Sequence, residues 1–221
     1  MKIHLIIYLM LMPLLSYSFS KEELLGKIDP EKHPDFVKFH SYGKIHYLRK
    51  EVYLALSNMI EKAKADGVNL YVISSFRSFN TQKSIWERKL NINIKTYRQK
   101  IQAIKKTLEY SAMPGTSRHH WGTDVDLVSV NPEFFKSASG KKVYLWLKEN
   151  APFFGFFQPY AVNSITYKEE KWHWSYKKLA DRFMEEYGKK ISCDDLTGFS
   201  GSEYAKSLNI IEHYVLSVND R

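Results

Sequence analysis

Two short segments about fifty residues apart must meet at one point, and that requirement limits the fold more than any other feature of the chain. The first reads Ser117-Arg118-His119-His120-Trp121-Gly122-Thr123-Asp124-Val125-Asp126, the second Glu170-Lys171-Trp172-His173. His119, Asp126 and His173 supply two imidazoles and a carboxylate. Such a set holds zinc and leaves a fourth position open, the pattern of a catalytic site rather than a structural one. Glu170, beside the third ligand, has the chemistry of a general base.

The local pattern says how each segment could aim its ligands. Gly122 allows a tight turn after His119, and Asp124 to Val128 alternates as a strand, which carries Asp126. Asp124 shares its side with Asp126. It reads first as a solvated strand residue, with orientation of a ligand as the alternative. His120 is out of register and is not counted as a ligand. Residues 167–176 end in a strand, read over Trp172 to Tyr176, where positions three apart face opposite ways. Glu170 and His173 therefore reach one metal only through a turn or bulge near Lys171.

A third segment, Ser74-Ser75-Phe76-Arg77-Ser78-Phe79-Asn80-Thr81-Gln82, lies between a β-rich stretch, 68–74, and a helical one, 78–90. Loop residues at such junctions are free to meet a ligand. An arginine there can clamp a carboxylate or polarise a carbonyl, because its fork is always charged.

Together these segments resemble the zinc D-alanyl-D-alanine carboxypeptidases of the VanY type. The matching residues are Phe76-Arg77-Ser78 with Gln82, then Ser117, His119, Gly122 and Asp126, then Glu170, Trp172 and His173. The resemblance covers roughly residues 45–180. It implies His119, Asp126 and His173 as Zn2+ ligands and Glu170 as general base. It also implies that Arg77 binds substrate and stabilises the transition state, with Ser117 and Gln82 lining the substrate pocket. The implied fold is α+β, a small antiparallel sheet with packed helices, like the DD-peptidase and Hedgehog domains. The implied reaction is hydrolysis of peptidoglycan stem peptides with release of terminal D-alanine. Within the same chemistry stand an L,D-carboxypeptidase and an endopeptidase; outside it stands a non-catalytic zinc-bearing binding module, against which the intact Glu170 argues. Lys171 occupies a place where the family commonly has proline, which leaves the turn at Glu170 open.

The remainder of the chain supports an exported single domain. Lys2, an apolar run from Leu5 to Leu15 and the stretch Ser16-Tyr17-Ser18-Phe19-Ser20 have the pattern of a cleaved signal, with cleavage expected after Ser18 or Ser20. Residues 1–20 are thus expected to leave, 21–191 to form the catalytic domain, and 192–221 to be a C-terminal extension. No other apolar segment is long enough to span a membrane. The expected location is secreted or periplasmic. Cys193 is alone, so no internal disulfide can form, and it reads as a neutral thiol. The net charge of +9 is scattered, which favours anionic surfaces. Nucleic acid is excluded as a partner, since no basic helix or recognition motif is present. Residues 21–47, with Pro30, Pro34 and Gly43, read as loops and short elements. Helices are expected over 48–65 and 179–187, at the end of a segment reaching Asn150, and near 101–108 and 208–216.

Overall fold

The computed structural model describes residues 18–161 and 166–218. Most of the expected signal segment, residues 1–17, lies outside the described residues. The expected α+β class holds. Two antiparallel sheets carry the strands, a hairpin of β1 (Phe36–Ser41) with β2 (Lys44–Arg49), and a four-stranded sheet in the order β3-β4-β6-β5. In the second sheet β3 is Val72–Ser74, β4 Asp124–Leu127, β5 Phe156–Phe157 and β6 His173–Tyr176. The central pair, β4 and β6, builds the site.

The short elements expected over residues 21–47 include this hairpin. Its turn is Tyr42-Gly43, both with positive φ, 47° and 69°. That pairing matches the twist of a two-residue hairpin turn. The 16-residue helix α2 (Lys50–Ala65) follows directly and buries Val52, Leu56, Met59 and Ala63, one stripe at helical spacing. Ser78 caps α3 (Phe79–Thr96) by accepting from Thr81 N–H. This helix runs six residues past the expected end and packs on α4 (Lys100–Leu108). Two further helices are α5 (Ala138–Asn150) and α6 (Lys177–Lys190). Among the described residues no helix is long and apolar enough to cross a membrane.

Both ends of the described chain enter the same core. At the N-terminal end the Phe19 ring stacks on Phe183 of α6, with centroids 3.6 Å apart, and Ser20 caps the short helix α1 (Lys21–Leu24) in a capping box with Glu23. The buried Arg49 ties this region down. Its guanidinium donates to Glu23 at 2.8 Å and to the Trp121 carbonyl at 2.9 Å. At the other end Leu196, Phe199, Ala205, Ile210, Ile211 and Val215 join the main cluster, so no packing boundary falls at residue 191. Trp86 donates its ring N–H to Ser200 O at 2.8 Å. Burial pushes the Cys193 thiol up, as expected for a neutral thiol.

Phe199 meets Phe79 and Trp86 edge-on, with centroids 6.3 and 6.4 Å away. Phe199→Ala is expected to cost about 3–5 kcal/mol in urea unfolding, the usual range for a buried ring. A loss below about 1 kcal/mol would make the segment after 191 a detachable tail.

Candidate active site

The register of β4 and β6 places Asp126 directly opposite His173, and Asp124 opposite Ser175. Side chains alternate along a strand, so these four share one face while Val125 and Trp174 point into the core on the other. Glu170 reaches the same site through a turn. His173 N–H donates to Glu170 O at 3.1 Å, closing a four-residue turn through Lys171 and Trp172 before the strand begins. The conflict between strand spacing and a shared site is resolved in this way.

His119 comes from a short 3-10 helix, Arg118–Trp121, ended by Gly122 in the left-handed region at φ 71°. A Cβ at Gly122 would lie 2.6 Å from the Phe36 ring, so only glycine permits both the turn and the close packing. His119 Nδ1–H donates to Ser75 O at 2.7 Å, which directs Nε2 toward the site. His173 is turned the other way. Its Nε2–H donates to Asp124 at 2.8 Å, and Nδ1 faces Asp126 and Glu170 at 3.2 and 3.7 Å.

These residues fit a metal. One ligand atom from each of His119, Asp126 and His173 lies within 4.8 Å of the others. Asp126 Oδ1 is buried and accepts no hydrogen bond among the described residues, although it stands 3.3 Å from His119 Nε2. A buried anionic oxygen without a donor is costly, and a cation shared with the two imidazoles satisfies it. The two nitrogens and one oxygen are the donor set that zinc takes.

The electrostatics follow from burial. Burial alone would raise Asp126, but His119 and Arg77 hold its carboxyl well below the usual range. Burial opposes a charge on His173, yet Asp124 and Asp126 outweigh it and lift its pKa to about 9. For His119 burial wins, helped by the Arg77 charge, and its pKa falls. Because ligand nitrogens must be free of protons, a metal bound here would displace the proton from His173. Burial pushes the Glu170 carboxyl up to about 7, against the pull of His173. A base tuned near neutrality is well matched to proton transfer at that pH.

Arg77 has four partners. It donates to Ser74 Oγ at 2.9 Å, to Gln82 Oε1 at 3.1 Å, to Asp126 Oδ2 at 2.6 Å and to His119 Nε2 at 2.8 Å. Gln82 does not line the cavity. It stands behind Arg77 and is itself anchored to Ala112 O at 2.8 Å. Ser117, Arg77, His119, Asp126, Glu170 and His173 all border one cavity of about 700 Å³. That volume suits a small ligand or the end of a peptide.

Asp124 corrects the expectation of a solvated strand residue. It is 0% exposed and accepts from Arg118 Nε at 3.1 Å, as well as from His173 and from Thr123 Oγ1. Arg118 also donates to Ser175 at 2.7 Å. The sequence reading missed Arg118 and Tyr160; the Tyr160 ring meets the His173 ring 4.7 Å away. Arginine and aspartate six apart around a turn were the signal for the buried ion pair. His120 is buried with Nδ1–H donating to Arg77 O at 2.7 Å, and Nε2 accepting from Gly115 N–H at 3.0 Å. It braces the backbone and is no ligand.

The sequence model described as VanY, D-alanyl-D-alanine carboxypeptidase, matches residues 45–179. The chain belongs to that family. A putative carboxypeptidase, YodJ, of Bacillus subtilis (strain 168) is 34% identical over 177 residues, covering 72% of this chain and 60% of its own length. A D-alanyl-D-alanine carboxypeptidase of Enterococcus faecalis (strain ATCC 700802 / V583) is 34% identical over 125 residues, covering 55% of this chain and 45% of its own. The chain thus spans about half the length of these curated relatives. VanYB in complex with D-alanine-D-alanine superposes with a TM-score of 0.57 at 27% identity, covering 73% of this chain and 87% of that one. A D,D-pentapeptidase VanY mutant in complex with Zn(II) gives 0.56 at 26% identity, covering 77% and 93%. The LdcB LD-carboxypeptidase gives 0.53 at 30% identity, covering 76% and 81%.

Asp124→Asn keeps the shape but removes the charge that orients His173. It is expected to weaken metal affinity by roughly 10–100-fold, the usual effect of losing a partner behind a ligand. Competition against a chelating dye measures this. Unchanged affinity would leave Asp124 as a partner of Arg118 alone.

Proposed function

We propose that this chain is a zinc-dependent carboxypeptidase that hydrolyses peptidoglycan stem peptides and releases terminal D-alanine. The observation that carries the reading is the convergence of His119, Asp126, His173 and Glu170 on one cavity. The D-alanine-D-alanine bound by the similar VanYB structure supports the substrate class.

His119 through Nε2, His173 through Nδ1 and Asp126 would hold the zinc. When bound, zinc supplies Lewis-acid chemistry, polarising a carbonyl and acidifying water. Glu170 takes the proton of the attacking water and later hands it to the leaving amine. Its burial and its turn keep it beside His173, and a pKa near 7 lets it serve in both directions. Arg77, braced by Ser74 and Gln82, offers its charge to the carbonyl oxygen as negative charge develops there. Ser117 borders the cavity and offers a hydroxyl to the peptide. Asp124 and Ser75 keep both imidazoles in the required tautomers.

The decisive experiment is incubation of the zinc-loaded protein with muropeptides of defined stem length, with mass spectrometry of the products. Loss of one D-alanine from the pentapeptide is expected. Loss from the tetrapeptide alone would favour the L,D-specific reading, to which the LdcB similarity lends support. Cleavage inside the stem would favour an endopeptidase. Binding without any cleavage would leave a zinc-bearing module. Glu170→Gln should retain metal and fold while turnover falls by at least about a hundredfold. Near-native turnover in that variant would move the base elsewhere.

The reading includes export. The pattern over residues 1–20 supports it, and an extracytoplasmic substrate requires it. Cleavage after Ser18 fits better than cleavage after Ser20, because the Phe19 ring and the Ser20 cap are both engaged. N-terminal sequencing of protein from fractionated cells is expected to begin at Phe19. The intact Met1 form in the soluble cytoplasm would contradict export.

A further inference from the structure

The turn of the β1–β2 hairpin carries an aromatic residue where its geometry favours asparagine, aspartate or glycine. Tyr42 has φ 47°, in the left-handed region that a bulky side chain avoids. It is 64% exposed. Its ring stacks on Tyr71, with centroids 4.6 Å apart and 11° between the planes. The half-buried Tyr71 covers one face of Tyr42, and the other face is left to solvent. A backbone of this kind persists only where its surroundings enforce it, and such outliers gather at ligand sites.

The pair stands at the edge of the cavity that holds the proposed ligands. Two residues on from Tyr42, Lys44 borders that cavity, and two on from Tyr71, Ile73 borders it as well. The footing of the pair is fixed. Tyr71 O accepts from Val128 N–H at 2.9 Å, and Ser41 Oγ accepts from Val72 N–H at 2.8 Å. These bonds tie the hairpin turn and β3 to the strand that carries Asp126.

Chemistry and reach choose the occupant. An open aromatic face with a hydroxyl at its rim matches a ligand that has an apolar face and a polar edge. A pyranose ring is such a ligand, with C–H groups on its faces and hydroxyls around its rim. In the proposed substrate the stem peptide is joined to an amino-sugar disaccharide. Four stem residues separate that sugar from the bond that releases a terminal D-alanine, and fully extended they span at most about 13–14 Å. Ser74 lies opposite Asp126, and from Ser74 back to Tyr71 the chain runs about 10 Å when extended. The sugar can therefore meet the pair while the scissile bond lies at the proposed ligands. We propose that Tyr42, supported by Tyr71, forms a stacking platform for the amino sugar that carries the stem peptide. The inference rests on the peptidoglycan reading and deepens it, because the platform selects stems still attached to glycan over free peptides.

The test compares a disaccharide-pentapeptide with the free pentapeptide of the same sequence on the zinc-loaded protein. The native protein should show the lower KM for the disaccharide form. Tyr42→Asn removes the ring and supplies a residue suited to the left-handed turn, so the fold is expected to hold, and thermal unfolding checks it. KM for the disaccharide form should rise about three- to tenfold, the worth of one ring contact, while kcat holds. Tyr42→Phe should keep most of the preference, since the stacking face remains. Calorimetry with both forms in a Glu170→Gln background reads the platform without turnover. Equal KM and equal affinity for the two forms in the native protein overturn it. An unchanged ratio in Tyr42→Asn also overturns it. A loss of the same size on both forms makes Tyr42 a peptide contact and overturns the glycan assignment. If the native protein cleaves neither form, the proposed reaction falls. The platform then stands on a Tyr42-dependent preference in binding and falls without one.

Discussion

The antiparallel pairing of β4 with β6 creates a buried polar face, and most of the surrounding structure serves to satisfy it. An alternating strand usually turns its polar side to water, but every residue of β4 is buried. Asp124, Asp126, His173 and Ser175 must therefore find partners inside the protein, since an unpaired charge there costs several kcal/mol. Arg118 answers Asp124 and Ser175 from the preceding turn, and Ser75 answers His119 from the loop after β3. Arg77 answers Asp126 from the loop before α3. The turns, caps and glycine of the first motif bring these donors within reach. Removing one partner of such a network leaves the other stranded, so its members act as a unit.

The scaffold accepts strain to hold this face. Val128 ends β4 with φ 65°, an unfavourable conformation for a β-branched residue. Its N–H donates to Tyr71 O at 2.9 Å, while Leu127 N–H donates to Trp172 O at 2.9 Å. The chain is thus tied on both sides just after Asp126. A conformation of this kind costs of order 1–3 kcal/mol and persists only where its surroundings enforce it. The C-terminal region reaches the same polar face. Tyr214 meets Tyr167 at 5.3 Å, Tyr167 meets Tyr160 at 4.7 Å, and Tyr160 meets the His173 ring at 4.7 Å. Aromatic contacts link the last described segment to a proposed ligand, which explains why that segment packs as part of the domain.

Reading the sequence singled out His119, Asp126 and His173, which the fold brings together, because three residue types at fixed spacing are hard to produce by chance. It found the helix over 48–65 for the same reason, since that depends on local pattern. It left the position of Glu170 open because a turn and a strand start can share four residues, and only the hydrogen bond from His173 to Glu170 decides between them. The short elements before residue 47 are not legible as a hairpin, because Tyr42 occupies a position that asparagine or aspartate would normally announce. Asp124 was misread because burial of both faces of β4 is a property of the whole fold. Gln82 came with the resemblance as a pocket residue, and sequence alone carries no sign that its amide is spent on Arg77 and Ala112.

Charge acts at two ranges in this protein, and they do different work. The net charge of +9 is scattered along the sequence, and salt screens exposed charges beyond about 8–10 Å. It can raise the rate at which an anionic polymer is met, but it does not choose a bond. The cations around the cavity act at contact, where burial limits screening. Arg77, Arg88, Lys44 and Lys89 surround a centre whose own acids are engaged, so the field there favours a ligand that brings negative charge with it.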